Sequence, residues 1–137
     1  MSQTTSLDWA YAAGLFDGEG SITLAPNSRS GSPALKVCLS VCHKETVLWL
    51  QTTFGGLFSE SSNGPLATRT IWRWTVNGKA AKPFLVGVLP FLKIKKGEAL
   101  VVLEFPTDFS KEPQVRLVRE LLAAELDSLR ERERYSL

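Results

Sequence analysis

The sequence has no run of eighteen or more apolar residues, the length that a membrane-spanning helix requires. Residues 1–8 also lack the basic start and apolar centre of a secretory signal. Cysteine is scarce, since the chain has only Cys38 and Cys42, and their spacing matches no metal-binding signature. These absences predict an intracellular protein, cytoplasmic or organellar, with no membrane segment and with free thiols.

The length of 137 residues fits one domain with a real core, and 44% hydrophobic with 22% charged residues is ordinary for a folded protein. The net charge of +2 conceals an uneven distribution. Residues 20–97 contain ten basic and two acidic side chains, and ten minus two gives a balance of +8. A basic middle suits a surface that meets a polyanion, although many proteins that bind no nucleic acid share it.

Hydrophobic periodicity and turn residues predict an α+β fold in the order α-ββ-α-ββ-α-α-α, with an antiparallel sheet and helices on one face. We expect Ser6 or Asp8 to cap the first helix, and the segment 17–20 to end it, since its glycines are free to adopt positive φ. The predicted helices are 7–16, 44–54, 79–88, 90–103 and 112–134, and the predicted strands are 21–25, 35–42, 57–60 and 68–76.

Strand alternation predicts which side chains face the core and which face outward. The expected inward residues are Leu35, Val37, Leu39, Val41, Trp72, Trp74 and Val76. The first helix has a different feature, a concentration of small residues, which would let a second helix approach closely. These small residues are Ala10, Ala12, Ala13 and Gly14.

Residues 12–20 (AAGLFDGEG) resemble the motif that defines the LAGLIDADG homing endonucleases. Two later segments, 72–79 (WRWTVNGK) and 89–95 (LPFLKIK), are similar to later blocks of that family at their expected distances. The resemblance covers about 7–105, and the C-terminal helices at about 106–137 carry no diagnostic motif. We therefore expect one LAGLIDADG endonuclease domain over 1–137, of the single-motif, homodimeric type.

The resemblance implies the fold α-ββ-α-ββ-α, with a saddle-shaped sheet, and the activity of a metal-dependent DNA endonuclease. Two chains would pair through the motif helix at Ala10, Ala13 and Gly14, and would cut both strands of a long pseudo-palindromic double-stranded site. Glu19 and the backbone carbonyl of Gly18 are the expected ligands of Mg²⁺, or of Mn²⁺ in its place. No organic cofactor is implied.

Three further positions near the implied catalytic centre follow from the resemblance. His43 stands where a polar residue orders the attacking water, although a helix-cap histidine would occupy the same position. Lys95 matches a basic residue that stabilises charge at the phosphate, the alternative being a solvated cluster with its neighbours. The chain departs from the better-known homodimeric members at Val47, where they have an arginine. For Asp17 we expect a structural role, hydrogen bonding to backbone at the helix end.

In the family, outward residues of the sheet read bases in the major groove of DNA. Transferred by strand alternation, the expected DNA-binding residues are Thr23, Ala25, Asn27, Arg29, Lys36, Cys38, Ser40, Arg69, Ile71, Arg73 and Thr75, with Lys44 beside them. Two other functions are compatible with the same residues. One is a DNA-binding protein that does not cleave, and the other is an RNA maturase of this fold.

Overall fold

The computed structural model describes residues 4–26, 33–61, 69–107 and 112–135. Within them, five α-helices and four β-strands follow in the predicted order, which confirms the α+β class. The helices are α1 (Ser6–Glu19), α2 (Lys44–Phe54), α3 (Ala81–Val88), α4 (Lys96–Leu103) and α5 (Pro113–Tyr135). The strands are β1 (Gly20–Pro26), β2 (Pro33–Val41), β3 (Leu57–Ser61) and β4 (Ile71–Asn77).

The four strands form one antiparallel sheet in the order β1-β2-β4-β3. The register places Val37 opposite both Ile22 and Val76, and Trp74 opposite Leu39. All five of these side chains are buried, so one face of the sheet forms one side of the hydrophobic core. The predicted inward direction is therefore confirmed for Val37 and Leu39 of β2 and for Trp74 and Val76 of β4.

The helices cover that buried face and supply an aromatic cluster. Phe84 of α3 lies at its centre, with ring centroids 4.8 Å from Trp74, 5.3 Å from Phe54 and 5.6 Å from Phe16. The indole Nε1 of Trp74 donates to the carbonyl of Gly55 at 2.7 Å, which leaves this buried polar group satisfied. Packing on one face leaves the opposite face of the sheet without a layer of helices over it.

The first helix begins and ends differently from the prediction. Thr5 is the N-cap, and its hydroxyl and the carboxylate of Asp8 form a reciprocal capping box. The helix continues through Glu19, and Gly20 has extended backbone with φ of −86°. The segment 17–20 therefore ends the helix as predicted but without a positive φ, which among the described glycines only Gly55, Gly56 and Gly78 have.

The helix predicted over 90–103 is interrupted. A 3₁₀ turn at Leu89–Phe91 is followed by non-helical residues, and α4 begins only at Lys96. The backbone N–H groups of Lys93 and Lys95 donate to the carboxylate of Asp17, far away in sequence. A tertiary contact thus replaces helical hydrogen bonds here, which periodicity could not anticipate.

The last helix, α5, lies against α4 and the edge strand β1. The guanidinium of Arg119 donates to the carbonyl of Pro106 at 3.0 Å, and Arg130 reaches Glu98 of α4 at 2.7 Å. In the part of the chain that the structure covers, no helix combines the length and the hydropathy that a membrane-spanning segment requires.

Candidate nucleic-acid and metal site

The outward face of the sheet and the C-terminal end of α1 together form an open groove of about 340 Å³. Its lining residues are Glu19, Ser21, Thr23, Lys36, Cys38, Ser40 and Arg73. Six of these were predicted as site residues, and the structure brings them together from one helix end and three strands. Ser21 was missed, although the alternation that selected Thr23 also points to it.

Two residues predicted to face outward on β4 are held by neighbours on the adjacent strand β2. Arg73 lies opposite Ser40, and its Nε donates to the serine Oγ at 3.3 Å. This contact uses one of five guanidinium N–H donors and leaves the terminal nitrogens for another acceptor. Thr75 lies opposite Cys38, with 3.3 Å between Oγ1 and Sγ, and is only 8% exposed. Thr75 therefore offers little surface to a ligand, which sequence alternation alone did not predict.

The remaining predicted DNA-binding positions are spread along the sheet. Ile71 begins β4 and is half-buried, and Arg69 precedes it in an exposed position. Ala25 belongs to β1 and pairs with Ala34 of β2. Asn27 and Arg29 lie outside the described residues.

The first residue of α2, Lys44, was also expected to meet DNA. Its Nζ lies 4.9 Å from the centre of the Trp72 ring, in a cation–π arrangement. Trp72 in turn stacks on Phe58 of β3, with centroids 5.3 Å apart and planes 13° from parallel. Lys44 therefore binds an aromatic face of its own chain, and it is not among the residues that line the groove.

The end of α1 has the ligand chemistry of a divalent-cation site. The last carbonyls of a helix have no partner within it, and the helix dipole makes this end negative. The exposed carboxylate of Glu19 adds a full negative charge, and the last turn of α1 contains no basic residue. Hard oxygen donors in a negative environment suit Mg²⁺, so Glu19 and the Gly18 carbonyl fit the ion.

The described residues supply only part of such a site. Among the residues that the structure covers, no three His, Cys, Asp or Glu side chains come together where they could hold a metal. A cation at Glu19 would therefore need further ligands besides these residues, which DNA phosphates, water or a second copy could provide.

Asp17 joins the end of α1 to the segment before α4. Its Oδ2 accepts from the backbone N–H of Lys93 at 2.8 Å, and its Oδ1 from that of Lys95 at 2.9 Å. Burial raises the pKa of Asp17, but hydrogen bonds from the backbone of Lys93, Lys95 and Ile94, with the charge of Lys95, outweigh it and hold the pKa below its usual value. Asp17 is thus a charged residue with a structural role, and it binds backbone as expected. The backbone that it binds belongs to a segment distant in sequence.

Lys95 lies at the same helix end. Its ammonium donates to the backbone carbonyl of Asp17 at 2.7 Å, and the residue is half-buried. Its neighbours Lys93 and Lys96 are exposed. The three lysines are therefore not one solvated cluster, since Lys95 alone turns onto α1.

His43 lies apart from the groove. Its Nδ1 is 2.7 Å from the hydroxyl of Thr46, and its Nε2 is 3.5 Å from a carboxylate oxygen of Glu45. It occupies the N-cap of α2, yet its side chain makes no capping hydrogen bond to backbone. Val47, the position at which the sequence departs from the better-known homodimeric LAGLIDADG endonucleases, is fully buried, so it belongs to the core.

An exposed stripe runs along α1 at helical spacing. Leu7 is 82% and Tyr11 58% exposed, and a Cβ added at Gly14 or Gly18 would meet nothing within 4 Å. Of the residues predicted to contact a second chain, Gly14 lies on this stripe and Ala10 is half-buried beside it. Ala13 is fully buried inside the chain, so the structure places it in the core. Leu7 and Tyr11 were not predicted as contact residues, because that prediction depended on the small residues of the helix.

The structure is similar to solved structures of homing endonucleases. The chain matches I-CvuI, determined in complex with its target in the presence of Ca, with a TM-score of 0.79 and 23% identity over 90% of this chain and 82% of that one. It also matches the archaeal intron-encoded I-Vdi141I complexed with DNA, with a TM-score of 0.69 and 17% identity over 89% and 83%. The chain therefore has the LAGLIDADG homing endonuclease fold.

A third structure shares the fold over only part of its length. The meganuclease I-SmaMI, bound to uncleaveable DNA, matches with a TM-score of 0.56 and 18% identity. The match covers 90% of this chain but 42% of I-SmaMI. No family profile and no curated protein matches the sequence.

Proposed function

We propose that this chain is a site-specific homing endonuclease that acts as a homodimer and hydrolyses one phosphodiester bond in each strand of a long, pseudo-palindromic double-stranded DNA site. A single observation carries the proposal. The groove on the outward face of the sheet joins hydrogen-bonding and basic side chains such as Arg73 to the acidic end of α1 at Glu19. We propose that residues 1–137 act as one domain in this role, without an organic cofactor.

The shape and chemistry of the sheet favour duplex DNA as the ligand. The nine residues of β2 extend about 30 Å, which corresponds to roughly nine base pairs at 3.4 Å each. Along this surface Lys36 supplies positive charge, while Ser40 and Arg73 supply hydrogen-bonding groups that suit base edges. I-CvuI and I-Vdi141I, which share the fold, are complexed with DNA.

Glu19 is the residue that we propose to hold Mg²⁺, or Mn²⁺ in its place, with the carbonyl of Gly18. A bound ion would stabilise charge that develops on the scissile phosphate and would favour ionisation of the attacking water. Lys95 would add a fixed positive charge at the same helix end. For His43 we propose a role in orienting water through Nε2, the nitrogen that faces the Glu45 carboxylate at 3.5 Å, while the Thr46 hydroxyl holds Nδ1.

A second copy of the chain completes the proposed enzyme. Each chain contributes one Glu19, and cleavage of two strands requires two such centres. The stripe of Leu7, Tyr11, Gly14 and Gly18 is the surface that we assign to the partner. Apolar side chains at its N-terminal end and glycines at its C-terminal end would let two α1 helices converge where the two Glu19 side chains lie.

Two alternatives use the same surface without cleavage, a DNA-binding protein and an RNA maturase. Retention of both Glu19 and Lys95 at one helix end favours the nuclease. A protein selected only for binding would gain nothing from a carboxylate in a phosphate-facing groove, since like charges repel.

The test is selection of a cognate duplex from a DNA library, followed by cleavage in Mg²⁺ and binding in Ca²⁺. Glu19→Gln keeps the side-chain shape but removes the charge, so cleavage should be lost while DNA binding persists or strengthens. Glu104→Gln, at an exposed position after α4, is the matched control and should cut as the wild type does. Undiminished cutting by Glu19→Gln would rule out the metal role. Binding without any cutting by the wild type would favour the DNA-binding alternative.

A further inference from the structure

We infer that Asp17 is a positioning residue that holds the ammonium of Lys95 at the end of α1. The inference rests on the proposed nuclease function, because it concerns the lysine assigned to the phosphate. Asp17 binds no metal in the proposed mechanism, and its role would be to position Lys95.

The carboxylate of Asp17 fixes the backbone of the segment before α4. One oxygen accepts from the N–H of Lys93 and the other from the N–H of Lys95, at 2.8 and 2.9 Å. Two donors bound to two oxygens of one carboxylate determine both the distance and the rotation of the segment. This is the segment where the predicted helix is interrupted, so these bonds replace the helical ones.

The backbone of Asp17 fixes the other end of Lys95. The ammonium donates to the Asp17 carbonyl at 2.7 Å, one of the last-turn carbonyls that an α-helix leaves without a partner. The negative end of the helix dipole favours a cation there. A lysine side chain in solvent samples many rotamers, whereas this one is bound to one residue through both its backbone N–H and its Nζ.

The arrangement ties two charged groups to one element. Asp17 and Glu19 belong to the same last turn of α1, so a shift of α1 moves Glu19 and the Lys95 ammonium together. If two chains pair through α1, the contact that places the two carboxylates also places the two lysines. The expected consequence of losing Asp17 is a misplaced Lys95 with Glu19 unaltered.

Amine acetylation measured by mass spectrometry tests the placement without any cleavage assay. In the wild type Lys95 should react more slowly than Lys93, an exposed lysine of the same segment, because its ammonium is hydrogen bonded. In Asp17→Asn an amide NH₂ faces a backbone N–H, so at least one bond that positions the segment is lost, and Lys95 should react faster than in the wild type, towards the rate of Lys93. An unchanged slow reaction of Lys95 would overturn the inference. If Asp17→Asn does not fold, Asp17→Glu, with two oxygens on a longer side chain, should give an intermediate rate, and a wild-type rate would overturn it.

Cleavage kinetics then separate positioning from general damage. Asp17→Asn should lower kcat by roughly 10- to 100-fold, the effect of one charge-assisted hydrogen bond, with KM little changed. In a Lys95→Met background the same substitution should cost nothing further, because Asp17 acts through Lys95. If the double variant instead lost the product of the two single losses in kcat, the inference would be overturned. If the wild type cuts no DNA, the proposed function fails, whereas the acetylation result still decides the placement.

Discussion

Arg130 and Glu98 form an ion pair of 2.7 Å between α5 and α4, in which the Glu98 side chain is 11% exposed and that of Arg130 34%. The same guanidinium donates through Nη2 to the backbone carbonyl of Ile22. Ile22 lies on β1, an edge strand of the sheet, where carbonyls otherwise lack partners. One side chain thus connects the last helix to the strand that carries Ser21 and Thr23 into the groove.

Replacement of Arg130 by Met should destabilise the fold, because the buried Glu98 carboxylate and the Ile22 carbonyl both lose a partner. We expect a loss of about 1–3 kcal/mol in the free energy of unfolding, less than for a fully buried pair because Arg130 is partly exposed. Arg116→Met is the control, since both side chains of the Arg116–Glu120 pair are exposed. Its loss should lower the free energy of unfolding by less than about 1 kcal/mol. Urea unfolding of both variants measures the two free energies of unfolding. Equal losses in Arg130→Met and Arg116→Met would contradict a stabilising role for the Arg130–Glu98 pair.

Substitution of Gly14 by Leu tests the proposed dimer surface. The added side chain meets nothing within 4 Å in its own chain, and leucine favours a helix more than glycine does. The chain should therefore fold normally yet remain monomeric at micromolar concentration in sedimentation experiments. Ala124→Leu, at an exposed position of α5, should leave the dimer intact. A Gly14→Leu dimer as tight as the wild type would place the interface elsewhere.

Gly20 requires the absence of a side chain, although its backbone is not strained. A Cβ there would lie 2.1 Å from Cδ1 of Phe16, whose ring is fully buried and cannot move freely. Gly20→Ala should cost about 1–3 kcal/mol in the free energy of unfolding, the usual range for overpacking. Gly97→Ala is the control, because its Cβ would make an ordinary 3.4 Å contact with Leu129 and a helix prefers alanine. Thermal and urea unfolding that rank the two variants in the opposite order would contradict this packing.

Arg73 should determine specificity at one base position of each half-site. If its guanidinium contacts a guanine with two hydrogen bonds, Arg73→Ala should cost about 1–3 kcal/mol for that base alone. Binding to a panel of single-base variants in Ca²⁺ gives the profile, with Arg132→Ala on α5 as an exposed control. A uniform loss across the panel would indicate contact with phosphate only.

The sequence by itself determined the class and order of the elements, because these depend on local periodicity. Alternation in 35–42 identified the buried and outward faces of β2 correctly, and these faces set the groove. The end of α2 followed from glycine, since Gly55 and Gly56 adopt φ of 79° and 95°. The motif likewise located Glu19, and α1 carries it into the groove.

Only the tertiary structure decided which of these residues touch each other. Residue type gave no sign that Asp17 binds a segment more than seventy positions away, or that this contact interrupts a helix. In the same way Lys44 lies over Trp72, Thr75 is buried against Cys38, and Ala13 belongs to the core. Periodicity predicts on which face of a helix or strand a side chain lies. The residues that the side chain contacts depend on which distant segments fold onto that face.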